Sequence, residues 1–230
     1  MSDEHIVKSY DEELQYLNDS LVQMGSLTEK LLHDSMNAIT KVDKDAVSKI
    51  VESDVKINKF RSSIDQHIMT ILVKRSPVAI DLRYAISTLK ISQDLERIGD
   101  LAKGNAKKIL PLPDNLPPEM LKRIESLGEM VQKQLKSALD CFIEKSTQKS
   151  LDTIKKDEQV NDLATASITE VLEFLSEHKK NLDFATNLLF VCKNLERAGD
   201  HLSRICQNVH YLIEGAVSYT HLRAHETKRN

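Results

Sequence analysis

The sequence predicts an all-α protein built as two tandem three-helix bundles of long antiparallel helices, and three observations lead there. First, the 230 residues include only 6 Gly, 5 Pro, 10 aromatic side chains and no Trp. That profile suits helices and nearly excludes an all-β fold. Second, apolar residues recur at alternating steps of three and four over long windows, the period of a helix packed against near-parallel neighbours. Third, four of the five prolines fall between positions 111 and 118 and divide the chain into halves of the same plan.

The elements follow in order. Tyr10, Leu14, Leu17, Leu21, Met24, Thr28, Leu31, Ser35, Ala38 and Val42 form one seam, so the first helix is expected from about Ile6 to Val42. Ile50, Ile57, Ile64 and Ile71 repeat every seven residues, a period incompatible with a strand in spite of their β-branched side chains. The second helix therefore ends near Lys74. Ser76-Pro77 then offers an N-cap and a first-turn proline, and the third helix is expected from there to about Ile109. The segment Pro111-Leu-Pro-Asp-Asn-Leu-Pro-Pro118 can continue no helix and reads as a linker. Beyond it three more helices are expected, Pro118 to Lys145, Thr147 to His178 and Leu182 to Glu214. The last carries the seam Phe184, Leu188, Val191, Leu195, Ala198, Leu202, Ile205, Val209 and Leu212. The organisation is thus a first repeat over 1–110, a linker over 111–117, a second repeat over 118–215, and a tail over 216–230 with no seam.

Duplication can be checked by register, since a repeated unit keeps residue types in step while loops absorb length changes. At an offset of 103, Gly25 meets Gly128, Leu32 meets Leu135, Asp54 meets Asp157, Asn58 meets Asn161 and Leu72 meets Leu175. At an offset of 100, Leu82, Ala85 and Leu89 meet Leu182, Ala185 and Leu189. The best-matched stretch is Asp94-Leu-Glu-Arg-Ile-Gly-Asp100 against Asn194-Leu-Glu-Arg-Ala-Gly-Asp200, identical at five of seven places.

Composition excludes several functions. With 32 Lys and Arg against 35 Asp and Glu, the formal charge of −3 leaves no basic excess for a nucleic-acid backbone, and none is expected as a partner. The acidic first 20 residues lack the apolar core of a signal peptide, and no run approaches the ~20 apolar residues of a bilayer span. The three cysteines, Cys141, Cys192 and Cys206, lack Cys-x-x-Cys spacing. A reducing, cytoplasmic location is expected. Nucleotide-binding loops, a nucleophile elbow and the Glu-x-x-His pairs of di-iron bundles are all missing from the sequence, and no catalytic residue is assigned.

The repeated heptapeptide carries the chemistry. Leu95 and Ile98 fix the helix phase toward the core, which sets Glu96 and Asp100 one turn apart on a polar face; Glu196 and Asp200 repeat the arrangement beside Leu195 and Ala198. Two carboxylates at this spacing repel unless a cation lies between them, and hard oxygen ligands select Mg, Ca, Mn or Fe. Gly99 and Gly199, costly inside helices, imply close approach of another backbone or a ligand. The plain alternative is a solvated face in which Arg97 and Arg197 bridge to Asp100 and Asp200, because about five acidic i,i+4 pairs arise by chance in a chain of this composition. Two carboxylates do not fill a coordination sphere of about six. Asp54 and Asn58, with Asp157 and Asn161, are candidate additional oxygens or else solvated helix residues. His201 and Cys206 lack counterparts in the first repeat and read as local substitutions.

Val51-Glu-Ser-Asp-Val-Lys-Ile-Asn58, Lys74-Arg-Ser-Pro-Val-Ala-Ile-Asp-Leu-Arg83, Leu95-Glu-Arg-Ile-Gly-Asp100 and Leu195-Glu-Arg-Ala-Gly-Asp200 together resemble the PhoU family of phosphate-transport accessory regulators, over about Ile6 to Gly215. The resemblance implies six helices in two bundles and a cytoplasmic protein that is not an enzyme. It also implies a homodimer that restrains phosphate uptake and the phosphate-starvation response, with a Pst-type phosphate ABC transporter and a PhoR-type histidine kinase as partners. Fe, Mn or Mg at the acidic motifs would map onto Glu96, Asp100, Glu196 and Asp200. The alternative function is a metal-dependent enzyme or a metal-storage bundle using the same carboxylates. Many family members carry Asn one turn beyond the motif Asp, where this chain has Gly104 and Arg204, and Arg204 is expected to neutralise Asp200. Val217 to Asn230 follows the end of the family pattern, resembles translated sequencing adapter, and is set aside.

Overall fold

The computed structural model describes residues 3–113, 118–177 and 182–215, and among these every regular element is a helix. In chain order they are α1 (Asp3–Lys41), α2 (Ala46–Arg75), α3 (Ala79–Lys107), α4 (Pro118–Glu144), α5 (Thr147–Lys155), α6 (Asp157–Glu177) and α7 (Leu182–Glu214). α1, α2 and α3 pack on one another as one bundle; α4, α5, α6 and α7 form the other, with α5 and α6 together in the place that α2 has in the first. None of these helices is long and apolar enough to cross a membrane.

The heptad isoleucines Ile50, Ile57, Ile64 and Ile71 are at most 3% exposed, so the seven-residue period does mark the buried stripe of α2. Thr28 and Ser35 share the buried seam of α1. Their hydroxyls are satisfied there: Thr28 Oγ1 donates to the Met24 carbonyl at 2.9 Å, and Ser35 Oγ donates across to the Ala102 carbonyl of α3 at 2.8 Å. The C-terminal end of α2 is tied to α1 by a two-pronged pair, Arg75 Nε to Glu13 Oε2 at 3.0 Å and Arg75 Nη2 to Glu13 Oε1 at 2.9 Å. Those hydrogen bonds hold the Glu13 carboxyl below its ordinary range. The cysteines are buried free thiols.

The bundles meet along two antiparallel seams, α1 against α4 and α3 against α7. On the first seam, a Cβ on Gly25 would lie 2.5 Å from Leu139 Cδ2, and one on Gly128 would press on the end of Met36. Met36 and Leu139 are themselves counterparts at the offset of 103, so each glycine is the socket for a knob from the other repeat. On the second seam, a Cβ on Gly104 would sit 3.7 Å from Asn194 Nδ2, and Arg204 Nε lies 3.4 Å from Asp94 Oδ1. These two pairs also exchange under the repeat. The halves are therefore related by a pseudo-twofold axis that crosses both seams.

Three boundaries differ from expectation. Ser76 does not cap the third helix: it adopts a left-handed conformation (φ 46°, ψ 54°) that closes α2, Val78 is extended, and α3 starts at Ala79. The proline forbids α2 to continue and disfavours a right-handed helical Ser76, which then serves as a C-terminal cap. The single helix expected over Thr147 to His178 is broken at Lys156, where the Gln159 amide donates to the Lys156 carbonyl three residues back at 3.1 Å and starts a new helix. α3 ends at Lys107, after which the chain turns with Ile109 and Leu112 still buried. Positions 114–117 of the expected linker and the set-aside segment Val217 to Asn230 lie outside the described residues.

Candidate functional site

In the first repeat the candidate residues converge from two helices. Leu95, Ile98 and Gly99 of α3 are buried, which turns Glu96 and Asp100 toward the edge of the bundle beside α2. Gly99 is a point of close approach: a Cβ there would be 3.2 Å from Ile57 Cδ1 and 3.5 Å from Asp54 Oδ1. Asp54 is not a solvated helix residue, being only 2% exposed. Its Oδ2 accepts from Asn58 Nδ2 at 3.2 Å and from Lys103 Nζ at 2.7 Å, and the same ammonium donates to Asp100 Oδ1 at 2.6 Å. Lys103 thus bridges the buried acid of α2 and the motif acid of α3. Burial pulls its ammonium pKa down, but the bonds to Asp100 and Asp54 outweigh that and hold it above the ordinary value. Glu96 is half-buried; desolvation first, and the Asp100 carboxylate second, raise its pKa against the pull of Arg97 and Arg61. Arg97 reaches both acids only at 3.7 Å. The arginine bridge of the plain reading is present but secondary.

The second repeat keeps the acids and loses the lysine. The counterpart of Lys103 at the offset of 100 is Ser203, whose hydroxyl is buried without a hydrogen-bond partner. Asp200 forms no ion pair among the described residues, and Arg197 supplies none. Partial burial, then the carboxylates of Asp157 and Glu196, raise the Asp200 pKa, offset only in part by the charges of Arg204 and Lys193. Glu196 is met by Lys193 Nζ at 2.6 Å. Gln134 of α4, 3% exposed, donates from Nε2 to Asp157 Oδ1 at 3.3 Å while its Oε1 has no donor. The Asn161 Oδ1 is likewise buried and unpartnered. Gly199 is a point of close approach like Gly99: a Cβ there would lie 3.1 Å from Val160 Cγ1, 3.2 Å from Asp157 Oδ1 and 3.4 Å from Gln134 Oε1.

Arg204 goes elsewhere than expected. It reaches across the α3–α7 seam to Asp94, and its Nη2 lies 2.6 Å from His201 Nδ1, which is itself 2.8 Å from Asp94 Oδ1. His201 is therefore a seam residue. At the opposite end of the seam Asn194 Nδ2 donates to Asn105 Oδ1 at 2.8 Å, and the Lys108 ammonium lies over the Phe190 ring, 4.5 Å from its centroid.

Lys103 and Gln134 contact the acids and are not singled out by the sequence pattern alone. A signal existed for both: Lys103 faces Ser203, and Gln134 faces Leu31, so each interrupts the repeat beside the acids. Asp54 also had one, since Ile50, Asp54 and Ile57 step by four and three along the buried stripe. As a metal centre, the first repeat does not fit, because an ammonium already holds one oxygen each of Asp54 and Asp100. The second offers the donors that suit a hard cation, with carboxylates beside unpartnered neutral oxygens. Among the described residues no three His, Cys, Asp or Glu side chains are already gathered as a chelate.

Comparison with known proteins agrees with this architecture. The family model described as the PhoU domain matches residues 21–109 and again 124–209. A phosphate-specific transport system accessory protein PhoU homolog of Rhizobium meliloti (strain 1021) is 33% identical over 217 residues, covering 94% of this chain and 92% of its own. Its namesake in Caulobacter vibrioides (strain NA1000 / CB15N) is 36% identical over 213 residues, covering 92% and 93%. The crystal structure of PhoU from Pseudomonas aeruginosa superposes with a TM-score of 0.86 at 31% identity, over 90% of this chain and 100% of that one. A family domain matched once in each bundle, and relatives more than 30% identical along nine-tenths of the sequence, place the fold and its twin acidic helices together: the chain belongs to the PhoU family.

Proposed function

We propose that this protein is an accessory regulator of phosphate transport that restrains phosphate uptake and the phosphate-starvation response, acting at the cytoplasmic face on a Pst-type phosphate ABC transporter and a PhoR-type histidine kinase. The observation that carries the reading is the full-length match, in both repeats, to proteins named as accessory to a phosphate-specific transport system. The same match favours it over a metal-dependent enzyme or a storage bundle. Physically, a protein of this kind changes uptake only by binding one state of a partner better than another. The pseudo-twofold supports that role, since α3 and α7 carry the same heptapeptide into two similar surroundings and so offer related faces to two partner elements.

The test is a clean deletion in the source cell, with a phosphate-starvation reporter read in phosphate-rich medium. Expression at high phosphate is expected, and repression like that of the parent would overturn the reading. A second strain locates the surface. Glu96→Lys reverses one motif charge without touching the Lys103 bridge, and is expected to derepress the reporter while circular dichroism shows an intact fold. Charge reversal at Asp100 is less informative, because it would set two ammonium groups against each other beside buried Asp54.

A further inference from the structure

We propose that the α3–α7 seam carries a binding site for one inorganic phosphate ion per chain, in the cleft where Lys90 and Arg97 of α3 meet His201 and Arg204 of α7 around Asp94. The paired carboxylates of the repeated motif take no part in lining it. A ligand here goes beyond the regulatory reading. Binding is measured on purified protein, so its failure would leave the deletion experiment to decide that reading by itself.

The cleft has a volume of about 430 Å³, and its lining sets Lys90, Arg97 and Arg204 against a single acid, Asp94, among otherwise neutral side chains. In a chain of net charge −3, that local excess of positive charge favours an anion. The three cations are also poorly employed. Lys90 is exposed and forms no ion pair among the described residues. Arg97 stands 3.7 Å from Glu96 and from Asp100, beyond hydrogen-bond length. Arg204 is in conflict with its neighbour: His201 Nδ1 lies 2.8 Å from Asp94 Oδ1 and 2.6 Å from Arg204 Nη2. A ring nitrogen carries either a hydrogen or a lone pair, so it serves one of these partners and not both. When Nδ1 donates to the carboxylate, the guanidinium needs another acceptor. An oxyanion in the cleft supplies it, in the geometry that a guanidinium fork matches.

Asp94 decides which oxyanion. A carboxylate among the cations repels a fully deprotonated anion but accepts a hydrogen bond from one that keeps a hydroxyl. His201 and Arg204 both approach its Oδ1, which leaves Oδ2 as the acceptor for such a hydroxyl. Inorganic phosphate retains at least one hydroxyl at neutral pH, whereas sulfate has none and a phosphomonoester has lost most of its last proton. No aromatic ring lines the cleft to stack on a nucleobase, which disfavours a nucleotide. The site occurs once per chain because the pseudo-twofold does not reproduce it. Arg97 recurs as Arg197, but Lys90, Asp94, His201 and Arg204 are replaced by Phe190, Asn194, Leu101 and Gly104 at the other end of the seam. The four positions differ together, and all four line the cleft.

The experiment is equilibrium dialysis of the full chain against radiolabelled inorganic phosphate at neutral pH and low salt, with sulfate and phosphoserine as competitors. The parent is expected to bind one phosphate per chain, and each competitor to bind about 10-fold more weakly or worse. Arg204→Gln is expected to weaken phosphate by about 10-fold, the loss of one charge-assisted hydrogen bond. Lys90→Gln, at an exposed position with no ion pair to lose, is expected to weaken it several-fold with the fold intact. Asp94→Asn, which copies the second repeat, is expected to bind sulfate as tightly as phosphate. No phosphate on the parent, two per chain, sulfate or phosphoserine bound as tightly as phosphate by the parent, or undiminished binding by Lys90→Gln would each overturn the proposal. Should Arg204→Gln or Asp94→Asn fail to fold, the competition on the parent and the Lys90→Gln titration decide it alone.

Discussion

Three glycines on the seams let helix propensity be weighed against packing in one experiment. Replacing an interior helical glycine by alanine gains up to ~1 kcal/mol from backbone entropy alone. At Gly104 the new methyl would find its nearest neighbour, Asn194 Nδ2, at 3.7 Å, an ordinary contact, so Gly104→Ala is expected to stabilise by about 0.5–1 kcal/mol, discounted because the site lies in the last turn of α3. At Gly25 the methyl would fall 2.5 Å from Leu139 Cδ2 and 3.4 Å from its Cγ, so the branched side chain must leave its rotamer. Overpacking of that kind costs about 1–3 kcal/mol, which leaves Gly25→Ala between neutral and about 2 kcal/mol destabilised. Gly128→Ala meets the thioether end of Met36, which swings more readily, and is expected to fall between the other two. The assay is urea unfolding of the three variants, reading shifts in midpoint at constant slope. In melting temperature, ~1 kcal/mol in a chain of this size is about 2–4 °C. A Gly104→Ala protein less stable than its parent, or a Gly25→Ala protein more stable than Gly104→Ala, would refute the antiparallel register assigned to the seams.

Further outcomes follow from charge and burial. Arg75 depresses the Glu13 pKa in the folded state, so this pair adds stability above the unfolded carboxyl value and loses it as pH falls through the folded one. The acid limb of stability against pH should therefore be shallower in Glu13→Gln, and an unchanged slope would show that the pair does not form. Glu96 is shifted upward, which has the opposite sign: its ionised form costs stability above the folded pKa. Glu96→Gln should accordingly be more stable than its parent at pH 7, with the difference vanishing as pH falls below the unfolded carboxyl value; a loss at pH 7 would contradict the desolvation argument. All three thiols are buried, so a thiol-reactive dye should label none rapidly in the native protein and three after denaturation.

The helical architecture was legible because it depends on period alone. The isoleucines of α2 and the seam of α7 leave one face to bury, and α7 runs from Leu182 to Glu214 as the pattern indicates. Local signals did less well. Ser76-Pro77 looks like a helix start when it is the end of the previous helix, because the proline's block on α2 acts before its tolerance at a first turn. The break at Lys156 has neither Gly nor Pro to announce it. At the site, the acids were visible as a repeated motif, but their partners were not. Arg97 and Lys103 are both three residues from Asp100, and only the approach of α2 with buried Asp54 decides that the lysine closes the bridge. Arg204 likewise stands one turn from Asp200, yet the neighbouring helix across the seam offers it Asp94.

The pseudo-twofold has a consequence for how such a chain diverges. In a dimer of identical single repeats, every substitution on the seam is made at both ends at once, so a change that suits one end must be tolerated at the other. Joining the repeats in one chain removes that coupling. One end of the α3–α7 seam carries an acid, with Asp94, His201 and Arg204 in mutual contact, while the other has the Asn194–Asn105 pair beside Gly104 and the Lys108 ammonium over the Phe190 ring. Two ends that began as copies can thus differ in their response to acidity or salt, which no assembly of identical halves can do.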